Sequence, residues 1–256
     1  MMTRTIWSET TGQGRDLVLI HGWGMNAEVW DVVMPELEKS FRVTRVDLPG
    51  HGLSREHTLG DLEDTAEVLS EVIQSDSVVL GWSLGGVLAM QVAASFPGKV
   101  QRLLLVSASP CFVIREDWPK GLEAEVFALF EQGLAEDYSG TLRRFLGLQL
   151  KGVEQARELM RDLSGKLAKA HPDPLALRQG LRLLRESDLR ALLASLDVPV
   201  SMLLGERDTL VSQKIAEPLY SECHVQDVEV VSGAAHVPFL THQDQFLDWI
   251  NRKANA

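Results

Sequence analysis

Val78-Val79-Leu80-Gly81-Trp82-Ser83-Leu84-Gly85-Gly86-Val87-Leu88-Ala89-Met90 is the stretch on which the fold turns. It opens on a short apolar run of the kind a buried strand makes and closes on residues that continue as a helix. Between the two, glycine stands two residues before and two residues after Ser83. A chain that leaves a strand and turns at once into a helix strains the turn residue, and small neighbours at this spacing let it close. The serine oxygen then projects from the carboxyl edge of a sheet. The first N–H groups of the new helix face any negative charge that develops there.

Working outward, Leu17-Val18-Leu19-Ile20 is a strand without polar interruption, as expected where helices cover both faces of a sheet. Residues 28–39 read as a helix, 42–46 as a strand, 59–74 as a helix with acidic residues near its start, and 100–106 as a strand. This alternation predicts an α/β fold with a mostly parallel central sheet. Over 111–193 the pattern changes to helical periodicity, broken by Gly133, Gly140, Gly152, Gly165, Pro172 and Pro174. Strand-and-helix alternation then returns, with strands at 199–204 and 228–231 and helices at 213–220 and 244–251. The expected organisation is a core of residues 1–110 and 194–256, interrupted by a helical cap over 111–193. An insertion at the carboxyl edge of a parallel sheet lies where ligands bind, which makes it a natural lid.

Composition narrows the function. A net charge of −11 argues against nucleic acid as a partner, because phosphate binding relies on a basic surface. Two cysteines, Cys111 and Cys223, are too few for a disulfide framework and fit a reducing compartment. Residues 1–15 hold no apolar stretch that resembles a signal peptide, and no run approaches the roughly 18–20 apolar residues of a membrane span. A cytoplasmic protein without membrane partners is expected. No dinucleotide glycine pattern, P-loop or metal cluster is present in the sequence, so neither cofactor nor metal is expected.

A serine hydroxyl becomes a nucleophile near neutral pH only with a base in reach and a carboxylate to orient that base. In sheets of this type the order along the chain is serine, acid, histidine. Of the downstream histidines, His236 follows the last strand on the small-residue loop Gly233-Ala234-Ala235. His171 lies in the insertion, His224 precedes the last strand at the wrong edge, and His242 follows the loop. For the acid, Asp208 stands in Gly205-Glu206-Arg207-Asp208 just past a strand, with Glu206 its nearest rival and Asp197 on the wrong side of that strand. The turn His21-Gly22-Trp23-Gly24 follows the first apolar strand. Backbone N–H groups of Trp23 and Leu84 are therefore the expected oxyanion donors, and the Trp23 side chain a pocket wall. Asp47-Leu48-Pro49-Gly50-His51-Gly52 reads as a structural turn with no chemistry.

Together these motifs resemble the α/β-hydrolase superfamily. Within it the chain is similar to the carboxylesterases that act on the methyl ester of pimeloyl-[acyl-carrier protein] in biotin synthesis. That narrower resemblance rests on residues 21–30, on Leu80-Gly81-Trp82-Ser83-Leu84-Gly85-Gly86, on Ser109-Pro110-Cys111-Phe112 and on residues 144–149. It implies a monomeric enzyme whose partner is an acyl-carrier protein bearing the substrate. Substrate contacts would come from Trp23, Ser83, Leu84, Phe145, Leu146, Gly147, Leu148, Gln149 and His236. Gly147 stands where alanine would also fit, a departure that would widen the pocket locally. Residues 143–169 hold seven basic side chains (Arg143, Arg144, Lys151, Arg157, Arg161, Lys166, Lys169) against Glu154, Glu158 and Asp162. Arg157 and Arg161 are expected on one helix face and the acidic three on another. Given the resemblance, Arg144, Arg157 and Arg161 are expected to dock an acidic carrier protein.

Three other functions share this frame. A broad short-chain carboxylesterase or a carbon–carbon bond hydrolase would use the same triad. A non-catalytic ligand-binding protein of this fold would retain it without using it. A dehalogenase is disfavoured, since that chemistry takes a carboxylate nucleophile where this chain has Ser83.

Overall fold

The computed structural model describes residues 5–223 and 225–255. The outermost residues of the expected core, 1–4 and 256, lie outside the described residues, as does His224. Among the described residues seven strands form one sheet: β1 (Ser8–Gly12), β2 (Arg15–Ile20), β3 (Phe41–Val46), β4 (Ser77–Trp82), β5 (Val100–Val106), β6 (Val200–Gly205) and β7 (Asp227–Val231). Their order is β1-β3-β2-β4-β5-β6-β7. Every pairing is parallel except β1 with β3. The direction of winding reverses at β2, which lies between β3 and β4. The crevice at the carboxyl ends of β2 and β4 is the switch point where open α/β sheets bind ligands.

Among the described residues eleven α-helices accompany the strands: α1 (Met34–Leu37), α2 (Leu62–Val72), α3 (Leu84–Ser95), α4 (Ala124–Glu136), α5 (Tyr138–Gln149), α6 (Ala156–Lys169), α7 (Pro174–Glu186), α8 (Arg190–Ala194), α9 (Ala216–Ser221), α10 (Pro238–Thr241) and α11 (Gln243–Ala254). Between β5 and β6 the described chain has no strand, only α4 to α8 and isolated bridges such as Cys111 to Asp188.

Successive residues of β2 point to opposite core layers. Val18 and Ile20 join the layer that holds α2 and α3, while Leu17 and Leu19 join the one that holds Trp30, Phe239 and Trp249. The central α3 is buried without interruption over 84–93, which is why its sequence is apolar all round.

Three elements differ from the sequence reading. β1 has no apolar alternation, because it is an edge strand with a burial pattern that never reaches full burial. It is held by cross-strand partners: Thr10 meets Thr44 at 2.9 Å, and Arg45 pairs with Glu9 at 2.6 Å. The expected helix over 28–39 is instead a 3₁₀ turn, Ala27–Trp30, followed by α1. Pro35 sits in the first turn of α1 and has no N–H to continue a longer helix. Likewise 213–220 divides into a 3₁₀ turn, Gln213–Ile215, and α9, whose third residue is Pro218.

The insertion sits on the sheet's carboxyl edge through α7, which packs on α3, and through α6, which packs on the turn after β2. Lys166 on α6 reaches across to the Glu28 carbonyl at 2.6 Å and to Asp31 at 2.8 Å.

Candidate active site

Ser83 has φ +55° and ψ −117°, a conformation that a residue with a side chain rarely adopts. The flanking glycines are required by space. A Cβ on Gly81 would come within 2.3 Å of the Gly85 carbonyl oxygen, and one on Gly85 within 2.3 Å of the Ile20 carbonyl oxygen. The elbow therefore closes only because strand, turn and helix touch backbone to backbone.

Asp208 and His236 meet at the end of the neighbouring strands. His236 Nδ1 lies 2.8 Å from Asp208 Oδ2, and both side chains are fully buried. The other carboxylate oxygen, Oδ1, accepts the N–H groups of Leu210 at 2.8 Å and Val211 at 3.0 Å. Three-point anchoring of this kind orients the imidazole with its Nε2 turned away from the carboxylate. That Nε2 is buried and has no hydrogen-bond partner among the described residues. The backbone of His236 is held as firmly: its carbonyl accepts the Trp82 indole N–H at 2.9 Å, and its N–H donates to the Gln149 carbonyl at 3.3 Å. Trp82 thus bolts the residue before Ser83 to the loop that carries His236.

The rival groups lie elsewhere. Glu206 is exposed and accepts the Gly233 N–H at 2.7 Å and the Ser232 hydroxyl at 3.0 Å. These bonds hold its carboxyl below the usual range and tie it to the His236 loop, with no contact to the imidazole. His171 sits on the cap beside Tyr138, and His242 bonds to the hydroxyl of Thr241. Asp197 lies in the loop ahead of β6.

The turn after β2 brings Trp23 to the elbow. A Cβ on Gly22 would stand 3.2 Å from Ser83 Cβ, so the turn and the elbow are in contact. Among the described residues, neither the Trp23 N–H nor the Leu84 N–H has a hydrogen-bond partner. The Trp23 ring packs edge-on against Phe145 at 4.6 Å, and its indole N–H donates to the Leu177 carbonyl at 2.8 Å.

Behind this turn lies a buried polar cluster. His21 Nδ1 donates to the Gly22 carbonyl at 2.8 Å, and its Nε2 accepts the Leu48 N–H at 3.0 Å. That bonding needs a neutral ring, and burial lowers the His21 pKa to about 4. The neighbouring His51 ring, 5.3 Å away, is lowered to about 3, by burial first and then by His21. Asp47 accepts the N–H groups of Ala27 and Leu53, each at 2.7 Å, and burial raises its pKa. The segment 47–52 is thus a brace between loops.

Ser83 opens into a tight apolar cavity lined by Phe112, Phe127, Phe130, Phe145, Leu181 and Leu210, among others. The expected substrate segment 145–149 divides around it. Phe145 lines the cavity, and Gln149 touches His236 through its carbonyl. Gly147 and Leu148 instead line a separate groove on the outer face of the cap. Leu146 is buried in the other core layer, with Leu150, Leu163 and Leu167. The local widening expected at Gly147 therefore concerns the outer groove. Phe127, Phe130, Leu181 and Leu184 were not singled out from sequence. Their only signal was the three-residue apolar spacing on α4 and α7, which any packed helix shares.

The basic stretch also differs from expectation. Lys166 is 12% exposed and spent on Asp31 and Glu28. Arg161 does not lie apart from the acidic residues: it shares a groove with Glu158 and Asp162, three residues before it and one after. Glu154 precedes α6 altogether. Arg157 and Arg161 are exposed without an ion pair among the described residues, whereas Arg144, also exposed, has a 2.7 Å bond to Thr141 and an ion pair with Asp137 at 3.9 Å. Among the described residues there is no cluster able to hold a metal and no helix long and apolar enough to cross a membrane.

Residues 17–249 match the alpha/beta hydrolase family, and the chain belongs to it. More particularly, it is 42% identical to a protein of Pectobacterium atrosepticum named pimeloyl-[acyl-carrier protein] methyl ester esterase, with 100% of each chain covered. A protein of the same name from Citrobacter koseri is 43% identical, covering 94% of this chain and 94% of its own. Among solved structures, an esterase from Exiguobacterium antarcticum superposes with a TM-score of 0.89 at 23% identity, covering 98% of this chain and 96% of its own, a likeness of fold.

Proposed function

We propose that this chain is a serine carboxylesterase that hydrolyses the methyl ester of pimeloyl-[acyl-carrier protein] to pimeloyl-[acyl-carrier protein] and methanol in biotin synthesis. End-to-end identity of 42% to an esterase of that name supports the substrate. The 2.8 Å bond between His236 and Asp208, on a loop that Trp82 ties at 2.9 Å to the residue before the strained Ser83, is the observation that carries the reaction type.

Ser83 Oγ attacks the ester carbonyl while His236 Nε2 takes its proton, and Asp208 stabilises the imidazolium at Nδ1. The tetrahedral oxyanion is held by the N–H groups of Trp23 and Leu84, each such donor being worth about 3–4 kcal/mol in the transition state. Methoxide leaves with the proton from His236. Water, activated by the same nitrogen, then releases the carboxylate and frees the serine. The aromatic cavity takes the aliphatic chain. The enzyme acts as a cytoplasmic monomer, its cap residues 111–193 forming the lid, and Arg144, Arg157 and Arg161 steer the acidic carrier protein toward it.

Turnover of pimeloyl-[acyl-carrier protein] methyl ester, compared with free short-chain esters and with Ser83→Ala, tests this directly. A strong preference for the carrier-bound ester that vanishes in the variant is expected. Turnover of free esters alone would reduce the enzyme to a general carboxylesterase. Charge reversal at Arg157 and Arg161 should raise KM for the carrier-bound ester and leave the small ester alone; equal effects on both would refute docking.

A further inference from the structure

Ser83 is only 3% exposed, so any ester reaching it must displace something. The outer groove of the cap, about 620 Å³ between α4 and α5, does not itself contain Ser83. It is lined by Leu129, Gly133, Gly147 and Leu148, with Arg144 at its edge. Leu129 is 67% exposed there, an apolar side chain left facing solvent. Two residues line both the groove and the Ser83 cavity: Val126 and Phe130, one turn apart on α4. The wall between the two hollows is therefore one side chain thick.

Phe130 is the larger of the two and has no polar tether. Its ring leans edge-on against Phe145 at 5.6 Å and Trp23 at 6.4 Å. Trp23 is fixed by its bond to the Leu177 carbonyl, and Phe145 by Trp23. Phe130 is only half-buried, while Phe145 is buried. Of the three stacked rings, Phe130 is the one whose displacement joins the groove to the cavity without disturbing the turn that bears the Trp23 N–H.

We propose that Phe130 is the gate between the outer groove and the Ser83 cavity, and that the groove receives the outward end of an extended aliphatic acyl chain whose ester end lies at Ser83. The continuity of the two linings and the apolar floor fit a long acyl arm, and at the rim Arg144 lies with Glu136, its guanidinium 3.9 Å from the Asp137 carboxylate. This rests on Ser83 being the nucleophile, as proposed above, and adds which side chain selects for length.

The test uses two fluorophosphonates that react with Ser83, one with a short alkyl group and one with a long aliphatic tether to a bulky tag. Labelling rates are compared in the native protein, in Phe130→Ala and in Gly147→Trp. A Cβ at position 147 would meet only Met160 Cε, at 3.7 Å, so a substitution there begins in open space. Gly147→Trp should slow the tethered reagent about tenfold relative to the short one, equivalent to obstructing one aromatic-sized contact. Phe130→Ala should shift the same ratio the other way. Equal changes for both reagents in both variants would overturn the gate while leaving the serine esterase intact. No labelling of the native protein by either reagent would overturn the nucleophile, and the gate with it.

Discussion

The carboxyl edge of the sheet and the cap above it are assembled by different kinds of contact. At the edge, backbone fits backbone. A Cβ on Gly205 would stand 2.2 Å from the Ala235 carbonyl oxygen, much as Gly81 and Gly85 are pressed against their neighbours. In the cap, helices meet through side chains, and Gly165 has no atom within 4 Å of the place a Cβ would occupy. Closer fits occur in the cap as well: on α7 a Cβ at Gly180 would lie 2.7 Å from the Trp23 ring, where cap meets edge, one at Gly133 would lie 2.5 Å from Thr141 Oγ1, and one at Gly121, ahead of α4, would lie 2.5 Å from the Val113 backbone. The atoms proposed for chemistry thus sit where substitution is least tolerated. Those proposed for substrate selection are held by side-chain packing, as in the stacked rings of Trp23, Phe130 and Phe145.

The largest test of this contrast is Asp208→Asn. It should leave the melting temperature near that of the native protein and lower kcat by about 10⁴, through loss of the oriented imidazole tautomer. Near-normal turnover would remove Asp208 from the proposed role. Next, Gly85→Ala should cost several kcal/mol and show as loss of soluble protein, since the added methyl group meets backbone that cannot give way. A soluble, active variant would show the edge to be less rigid than its packing indicates.

Acid should weaken the edge through its neutral histidines. Folded His21 binds its proton near pH 4 and His51 near pH 3, below the ordinary 6.5. Their contribution is complete above pH 6.5 and is lost as the pH falls through that value toward 4 and then 3, because the unfolded chain takes up protons that the folded chain refuses. For His21 the full loss is on the order of 3 kcal/mol. Asp47, whose pKa burial raises, works in the opposite sense above the ordinary carboxylate value of 3.8. Denaturant unfolding at pH 7 and pH 5 measures the sum, and equal stabilities would refute it. The smallest effect belongs to the cap. Gly147→Ala, in the last turn of α5 and unobstructed, should stabilise the protein by about 0.4–1 kcal/mol without altering turnover of a small ester. Destabilisation would mean that the cap, too, is closely fitted at this point.

Much of the edge could be read from sequence because its constraints are local. An apolar run, a serine between two glycines and a histidine past the last strand each declare themselves within a few residues. β1 could not be read this way, since its partners Thr44 and Arg45 lie more than thirty residues along the chain. The helix expected over 28–39 failed on a local signal that was present, Pro35, outweighed by the apolar pattern around it. In the cap, Leu146 and Phe145 are neighbours in sequence, yet they face different core layers, because successive helical residues diverge by about 100°. The charge count over 143–169 stands, but Lys166 is paired with Asp31, and Arg161, though unpaired among the described residues, shares its groove with Glu158 and Asp162.

By itself, then, the amino-acid sequence determined the α/β class, the strained turn at Ser83 and the presence of Asp208 and His236 past successive strands, because backbone strain and strand-end position are written in short spacings. Only the tertiary structure decided that Asp208 rather than Glu206 touches the imidazole, that Trp82 and Gln149 hold the loop of His236, and that Phe130 divides the cavity at Ser83 from the groove outside. Those are contacts between segments far apart in the chain, and they exist only once the sheet and its helices have packed.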